Sequence, residues 1–268
     1  MTELTAPQLH PTAIVDANAQ IGAGCYIGPY CIVGATVELG ERCQLQAHVV
    51  LDGPTIVGPD NVFYAFSSIG QRTQDLKYTG EPTHLEIGTG NTFREFVTIN
   101  RGTAPNSVTR IGNYGNFLAY THIAHDCVVA DHVVFSNNST LAGHVEIGAD
   151  VTLGGFAAAH QHCRIGRLAM VGGMSKIVQD VPPFCLADGN PAILRGLNMV
   201  GLKRHNVPVE TVRTLKEAYE ILFRHDLNMQ QAMSQLREDR HDQVPEVAEL
   251  MSFVETTKRG ITRDTLEH

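Results

Sequence analysis

Between Val15 and Ile177 an aliphatic or aromatic residue returns at six-residue intervals with two interruptions, and this period decides what the chain can fold into. The series runs Val15, Ile21, Ile27, Val33, Leu39, Leu45, Leu51, Val57, Phe63 and Ile69. It resumes at Ile87, Phe93 and Ile99, and again from Ile111 through Phe117, Ile123, Val129, Phe135, Leu141, Ile147 and Leu153. It slips only to Ala159 before Ile165, Val171 and Ile177. Every one of these numbers leaves remainder 3 on division by six, so the register survives its own interruptions. Glycine repeatedly follows the aliphatic residue (Gly22, Gly28, Gly34, Gly40, Gly58), and the position two before it is usually small or β-branched. Short strands, tight turns and one inward residue per hexad are the plan of a parallel β-helix.

The hexad register accounts for the cysteines. Cys25, Cys31, Cys43, Cys127 and Cys163 fall in the small inward slot two before the aliphatic residue, and only Cys185 does not. With no CxxC spacing they read as small buried hydrophobes in a reducing compartment. Two polar segments leave the repeat, near 71–86 (QRTQDLKYTGEPTHLE) and 100–110 (NRGTAPNSVTR). Excursions from a rigid scaffold are where binding residues tend to sit. From about Pro191 apolar spacing turns helical, over Val209–Arg224 and near 228–239 and 245–258. The expected organisation is therefore a β-helix over 1–190 with two inserted loops and a C-terminal helical domain over 191–268. The net charge of -8 argues against a general nucleic-acid binder. MTELTAPQLH lacks the pattern of a signal peptide, and no segment reaches the ~18 apolar residues of a membrane span. A cytoplasmic protein without stable membrane insertion is expected. The closing LEH of 266–268 carries no weight.

Residues 122–127, HIAHDC, set two histidines three apart with an aspartate after the second. Positions 18 apart stack in neighbouring coils, roughly 4.8 Å apart. His144 follows His125 by 19 and His162 follows His144 by 18, while Gly143 and Gln161 stand in the column of His125. With His122 and His160, five of the 13 histidines gather near one edge over three coils. Two chemistries suit such a cluster. Three imidazoles can hold a zinc ion with an open position, or a histidine can take a proton from a hydroxyl while a carboxylate orients it. Asp126 is the candidate orienter, although adjacent strand residues point to opposite faces and the contact needs turn geometry. The amide near Gly143 is a candidate oxyanion donor.

With the repeat, HIAHDC, LAGH (141–144), AHQHC (159–163) and QDLKY (74–78), the chain resembles the hexapeptide-repeat acyl-[acyl-carrier-protein]–UDP-N-acetylglucosamine O-acyltransferases that open lipid A biosynthesis. GEPT (80–83), QDVPP (179–183), GNP (189–191) and GLKR (201–204) extend the likeness into the helical tail. The resemblance implies a mainly β fold, a left-handed parallel β-helix with a C-terminal α-helical domain, assembled as a homotrimer with sites between subunits. It implies His125 as the base toward the sugar 3-hydroxyl, Asp126 as its support and Gly143 as the oxyanion donor. Gln74, Asp75, Lys77, His122, His144, His160 and Gln161 would hold the sugar nucleotide or the acyl-phosphopantetheine arm. Asn198 and Arg204 would reach the uridine diphosphate, and Gly173 would set the acyl-chain length. Lys176, Lys203 and Arg204 are candidate docking residues for acyl carrier protein, whose phosphopantetheine carries the donor; no separate cofactor and no metal are implied. His162, Val200 and His205 depart from the family's usual residues. Three other readings stand beside this one, the last a non-catalytic scaffold. A zinc-dependent lyase like γ-class carbonic anhydrase shares the fold. The related N-acyltransferase of the pathway carries an extra N-terminal domain, whereas hexads here begin by Val15.

Overall fold

The computed structural model describes residues 6–264. Short strands, most of two residues, stack into three sheets of 11, 9 and 8 strands, parallel but for one terminal hairpin, that form the faces of a triangular prism. The first face carries Tyr26–Ile27 and Val62–Phe63, the second His122–Ile123 and Thr140–Leu141, the third Val128–Val129 and Glu146–Ile147. The architecture is mainly β, a left-handed parallel β-helix with helices at its C-terminal end. Strands of two residues carry little twist, so the usual right-handed crossover preference has little hold here.

The register seen in the sequence is the register of the coils. His122 pairs with Thr140, Thr140 with Ala158 and Ala158 with Lys176, each 18 residues on. The aliphatic slots from Ile27 to Ile177 are buried, and Phe63, Phe93 and Phe117 stack inside at 4.9 Å between ring centroids. Each fully buried side chain of this size contributes roughly 1.5–3 kcal/mol. All six cysteines are buried and unpaired, Cys185 included. Residues three before the slots, such as Tyr30, His48, Asp126, His144 and His162, adopt φ near +60° at the corners. A left-handed residue at each of these turns folds the chain sharply enough to start the next face.

Strands claim more of the two excursions than the sequence implies. Ser68–Gln71 and His84–Ile87 bound the first, and Thr98–Asn100 and Val108–Ile111 the second, leaving 72–83 and 101–107 outside the sheets. Val62 pairs with Thr92 and Thr92 with Asn116, so those coils span 30 and 24 residues instead of 18. The added lengths are multiples of six, which is why the remainder is preserved.

The boundary expected at residue 190 falls inside a hairpin. Cys185–Gly189 and Ala192–Leu197 pair antiparallel on the end of the first face, and helix begins with α1 at Met199–Arg204. The three longer helices lie where the apolar spacing put them: α2 Val209–Phe223, α3 Met229–Glu238 and α4 Pro245–Glu255. They bury Leu215, Leu222, Leu236 and Leu250 together and join the prism through Leu168, Phe184 and Leu202. After α4 the chain returns along the prism, where the Thr262 amide donates to the Asp180 carbonyl at 2.9 Å. Residues 266–268 lie outside the described residues. No helix among the described residues is long and apolar enough to cross a membrane.

Candidate active site

Every feature singled out in the histidine cluster lies at one corner of the prism, between the second and third faces. Both excursions leave the wall there, and the turns after His122–Ile123, Thr140–Leu141 and Ala158–Ala159 follow on successive coils. Asp126 takes the left-handed position of its turn, with φ +59°. That reverses the alternation of a pleated strand and swings the carboxylate onto the neighbouring ring. Asp126 Oδ2 thus lies 2.8 Å from His125 Nδ1. Two further contacts fix the aspartate: the Thr103 amide donates to Oδ2 at 3.1 Å, and the Asp126 amide donates to Thr109 Oγ1 at 2.8 Å.

The charges settle which nitrogen of His125 is free. Burial pushes the Asp126 carboxyl up, but the nearby Ser107 hydroxyl, the His125 hydrogen bond and the charge of His144 outweigh it. Asp126 is held below the usual carboxylate value and is an acceptor only, so His125 Nδ1 carries the proton and donates. In the neutral ring the lone pair then sits on Nε2. Nε2 lies over Gly143, since a Cβ on that residue would come within 2.6 Å of it. The Gly143 carbonyl accepts from the His162 amide at 3.1 Å, while its own amide makes no hydrogen bond among the described residues.

His144 stands edge-on to His125, at 5.1 Å and 90°, and stacks on His162 at 4.6 Å and 12°. Burial lowers the His144 pKa, with His162 and His125 acting the same way and Asp126 and Asp75 opposing. His122 is also lowered, by burial and then by the charge of His125, and its Nδ1 lies 2.8 Å from Thr98 Oγ1. Both rings are therefore hydrogen-bonding groups at neutral pH. His160 Nδ1 meets Arg259 Nη2 at 3.1 Å, and Gln161 is exposed beside it. Gln74, Asp75 and Lys77 lie on the 72–83 excursion, where the Lys77 amide donates to Asp75 Oδ1 at 2.8 Å. A cavity of about 780 Å³ opens alongside, lined by Asp126, His144, His162, Arg164 and Arg259 among others. His125, Asp126 and His144 also offer three metal-ligand atoms within 4.8 Å of one another.

Three residues expected at the site lie elsewhere in the chain. Asn198 caps α1, accepting from the Gly201 amide and donating to the Leu168 carbonyl, both at 2.9 Å. It and the exposed Arg204 sit at the corner between the third and first faces, where His205 approaches Asp150 at 4.0 Å. Gly173 lies at the remaining corner, where a Cβ would meet the Gly155 carbonyl oxygen at 3.3 Å. Thr98, Thr103 and Thr109, which hold His122 and Asp126, were not legible beforehand. Single threonines in a β-rich repeat carry no spacing signal.

With this geometry in hand, likeness to known proteins becomes interpretable. The family described as Udp N-acetylglucosamine O-acyltransferase, Domain 2, matches residues 180–262. An acyl-[acyl-carrier-protein]–UDP-N-acetylglucosamine O-acyltransferase of Herminiimonas arsenicoxydans is 43% identical over 259 residues, 95% of this chain and 99% of that one. The crystal structure of UDP-N-acetylglucosamine O-acyltransferase from Moraxella catarrhalis superposes with TM-score 0.92 at 44% identity, covering 95% of this chain and 99% of that one. UDP-N-acetylglucosamine acyltransferase from Campylobacter jejuni gives 0.90 at 35% identity, covering 96% and 99%. This chain belongs to the acyl-[acyl-carrier-protein]–UDP-N-acetylglucosamine O-acyltransferase family and is an acyltransferase.

Proposed function

We propose that the chain moves an acyl or 3-hydroxyacyl group from acyl carrier protein to the glucosamine 3-hydroxyl of UDP-N-acetylglucosamine, in the cytoplasm, as the opening step of lipid A biosynthesis. The observation that carries the mechanism is the 2.8 Å contact of His125 Nδ1 with Asp126, which leaves Nε2 as the base. His125 Nε2 takes the proton of the sugar hydroxyl as its oxygen attacks the thioester carbonyl. The Gly143 amide receives the charge that develops on the carbonyl oxygen. Collapse of the intermediate breaks the carbon–sulfur bond, and His125 returns its proton to the phosphopantetheine thiolate. Asp126 steadies the imidazolium between those steps. The scheme asks for no metal and no bound cofactor.

Asn198 and Arg204 occupy a corner that does not carry the histidines, which supports a homotrimer in which a neighbouring copy brings them to the sugar nucleotide. Lys176, Lys203 and Arg204 are exposed and suit an acidic carrier protein. The zinc-lyase reading rests on the same His125, Asp126 and His144 atoms. The mass spectrum of the product from UDP-N-acetylglucosamine and mixed acyl carrier proteins separates the two. One added acyl or 3-hydroxyacyl chain per sugar nucleotide, unaffected by chelator, is the expected result. No acylated product, or stoichiometric zinc with activity lost to chelator, would overturn it.

Gly173 supplies a second test. A bulky side chain there fills the space above Gly155, and each methylene that no longer fits forfeits about 0.8 kcal/mol. Gly173→Met is expected to shift preference toward donors shorter by two or more carbons, by roughly tenfold in relative kcat/KM. Unchanged selectivity across a donor panel rejects that role.

A further inference from the structure

We propose that the excursions 72–83 and 101–107 act as one hydrogen-bonded clamp, closed by the hydroxyls of Thr73 and Thr103, that ties the loop bearing Asp75 and Lys77 to the carboxylate holding His125. Thr73 is then a positioning residue for acyl transfer. The inference rests on the mechanism proposed above.

The two loops are stitched together at both ends. At their roots the Arg101 amide donates to the Gln71 carbonyl at 2.9 Å, and the nearly buried Arg101 guanidinium donates to the Gly70 carbonyl at 2.6 Å. At their far ends the Asn106 amide donates to Pro82 at 2.7 Å and the His84 amide to Ser107 at 3.0 Å. Between these ends, Thr103 Oγ1 donates to Thr73 Oγ1 at 2.9 Å, and Thr73 is 5% exposed. Each threonine faces a different partner beyond that pair. The Asp75 amide donates to Thr73 Oγ1 at 3.1 Å, which opens the turn that presents Asp75 and Lys77. The Thr103 amide donates to Asp126 Oδ2 at 3.1 Å, the oxygen that also receives His125. One continuous path therefore runs from the Asp75 backbone to the base. A part-buried hydroxyl pair of this kind is rigid when satisfied and costs stability to break.

Three variants and a reference test it, assayed as the full chain with UDP-N-acetylglucosamine and acyl carrier protein. Thr73→Val keeps the shape and removes the hydroxyl. It is expected to lower kcat about tenfold and to raise KM for the sugar nucleotide severalfold, with the thermal midpoint lowered by only a few degrees; misplacing a reacting group by a fraction of an ångström costs this much. Thr73→Ser is expected to restore both constants. In an Asp126→Asn background, Thr73→Val is expected to lower kcat less than twofold further, because the carboxylate it acts through has lost its charge. Wild-type kcat in Thr73→Val, failure of serine to rescue, or a full tenfold loss in the Asp126→Asn background overturns the clamp. His125→Ala is the reference: if it is inactive while Thr73→Val behaves as wild type, the clamp alone fails. If His125→Ala stays active, the base assignment fails first.

Discussion

His125→Ala is expected to lower kcat about a thousandfold with the assembly intact, the middle of the range that a positioned proton acceptor supplies. The magnitude follows from what the side chain alone provides. The Nε2 lone pair is set free because the opposite nitrogen, Nδ1, donates to the Asp126 carboxylate at 2.8 Å. His144 cannot replace it by a small shift, since its ring stands perpendicular to His125 and stacks on His162. His122 faces Thr98 and is held in its neutral form by burial and by the charge of His125. The fold should not notice the loss. The His125 ring packs at a corner turn on Gly143, while the buried neighbours Ile123 and Cys127 are untouched. Size-exclusion elution and thermal midpoint are therefore expected to match wild type while turnover collapses. A purely structural scaffold would show full retention of every activity, and retention of even a tenth of wild-type kcat would remove His125 from the role.

The parts of this molecule that could be read from sequence are those where one inward residue per hexad sets the packing. Burial of Ile123 and Cys127, the edge shared by His125, His144 and His162, and the helices at 209–223, 229–238 and 245–255 all follow from period and polarity. What period could not give was the direction of a side chain at a corner. Strand alternation separates His125 from Asp126, and only the left-handed φ of Asp126 brings them together. Gly189, Asn190 and Pro191 bear the marks of a linker, yet they turn a hairpin, because Ala192 and Leu194 are apolar enough to be buried against the last coil. Thr73, Thr103 and Thr109 were silent for a different reason: each acts through one hydroxyl or one amide, and an isolated threonine in β-rich sequence is ordinary. Asn198 and Arg204 belong to a corner remote from the histidines along the chain's own fold. Their proposed part in a site would need a second copy, which no reading of one coil can supply.

Gly143→Ala is expected to cost about a hundredfold in kcat, and for a reason separate from the oxyanion role proposed for its amide. The backbone there does not require glycine, because its φ lies outside the left-handed region in which a side chain is strained. What forbids a side chain is the His125 ring, the proposed base. A Cβ at 143 would lie 2.4 Å from His125 Cε1, 2.6 Å from Nε2 and 3.1 Å from Nδ1, and these are the three nearest atoms it would meet. Relief to ordinary contact requires the imidazole to swing by about 1 Å, and a misplacement of that size costs about a hundredfold. The swing also strains the 2.8 Å contact of the ring with Asp126. The amide of residue 143 survives the substitution, which separates the two roles. If the loss arises through the ring, adding Gly143→Ala to His125→Ala should lower the residual activity less than about twofold, the non-additivity expected of residues that act as a unit. A full hundredfold loss in that background would instead locate the damage at the amide that receives the oxyanion. Wild-type turnover in the single variant would mean that the ring does not rest where the base is needed.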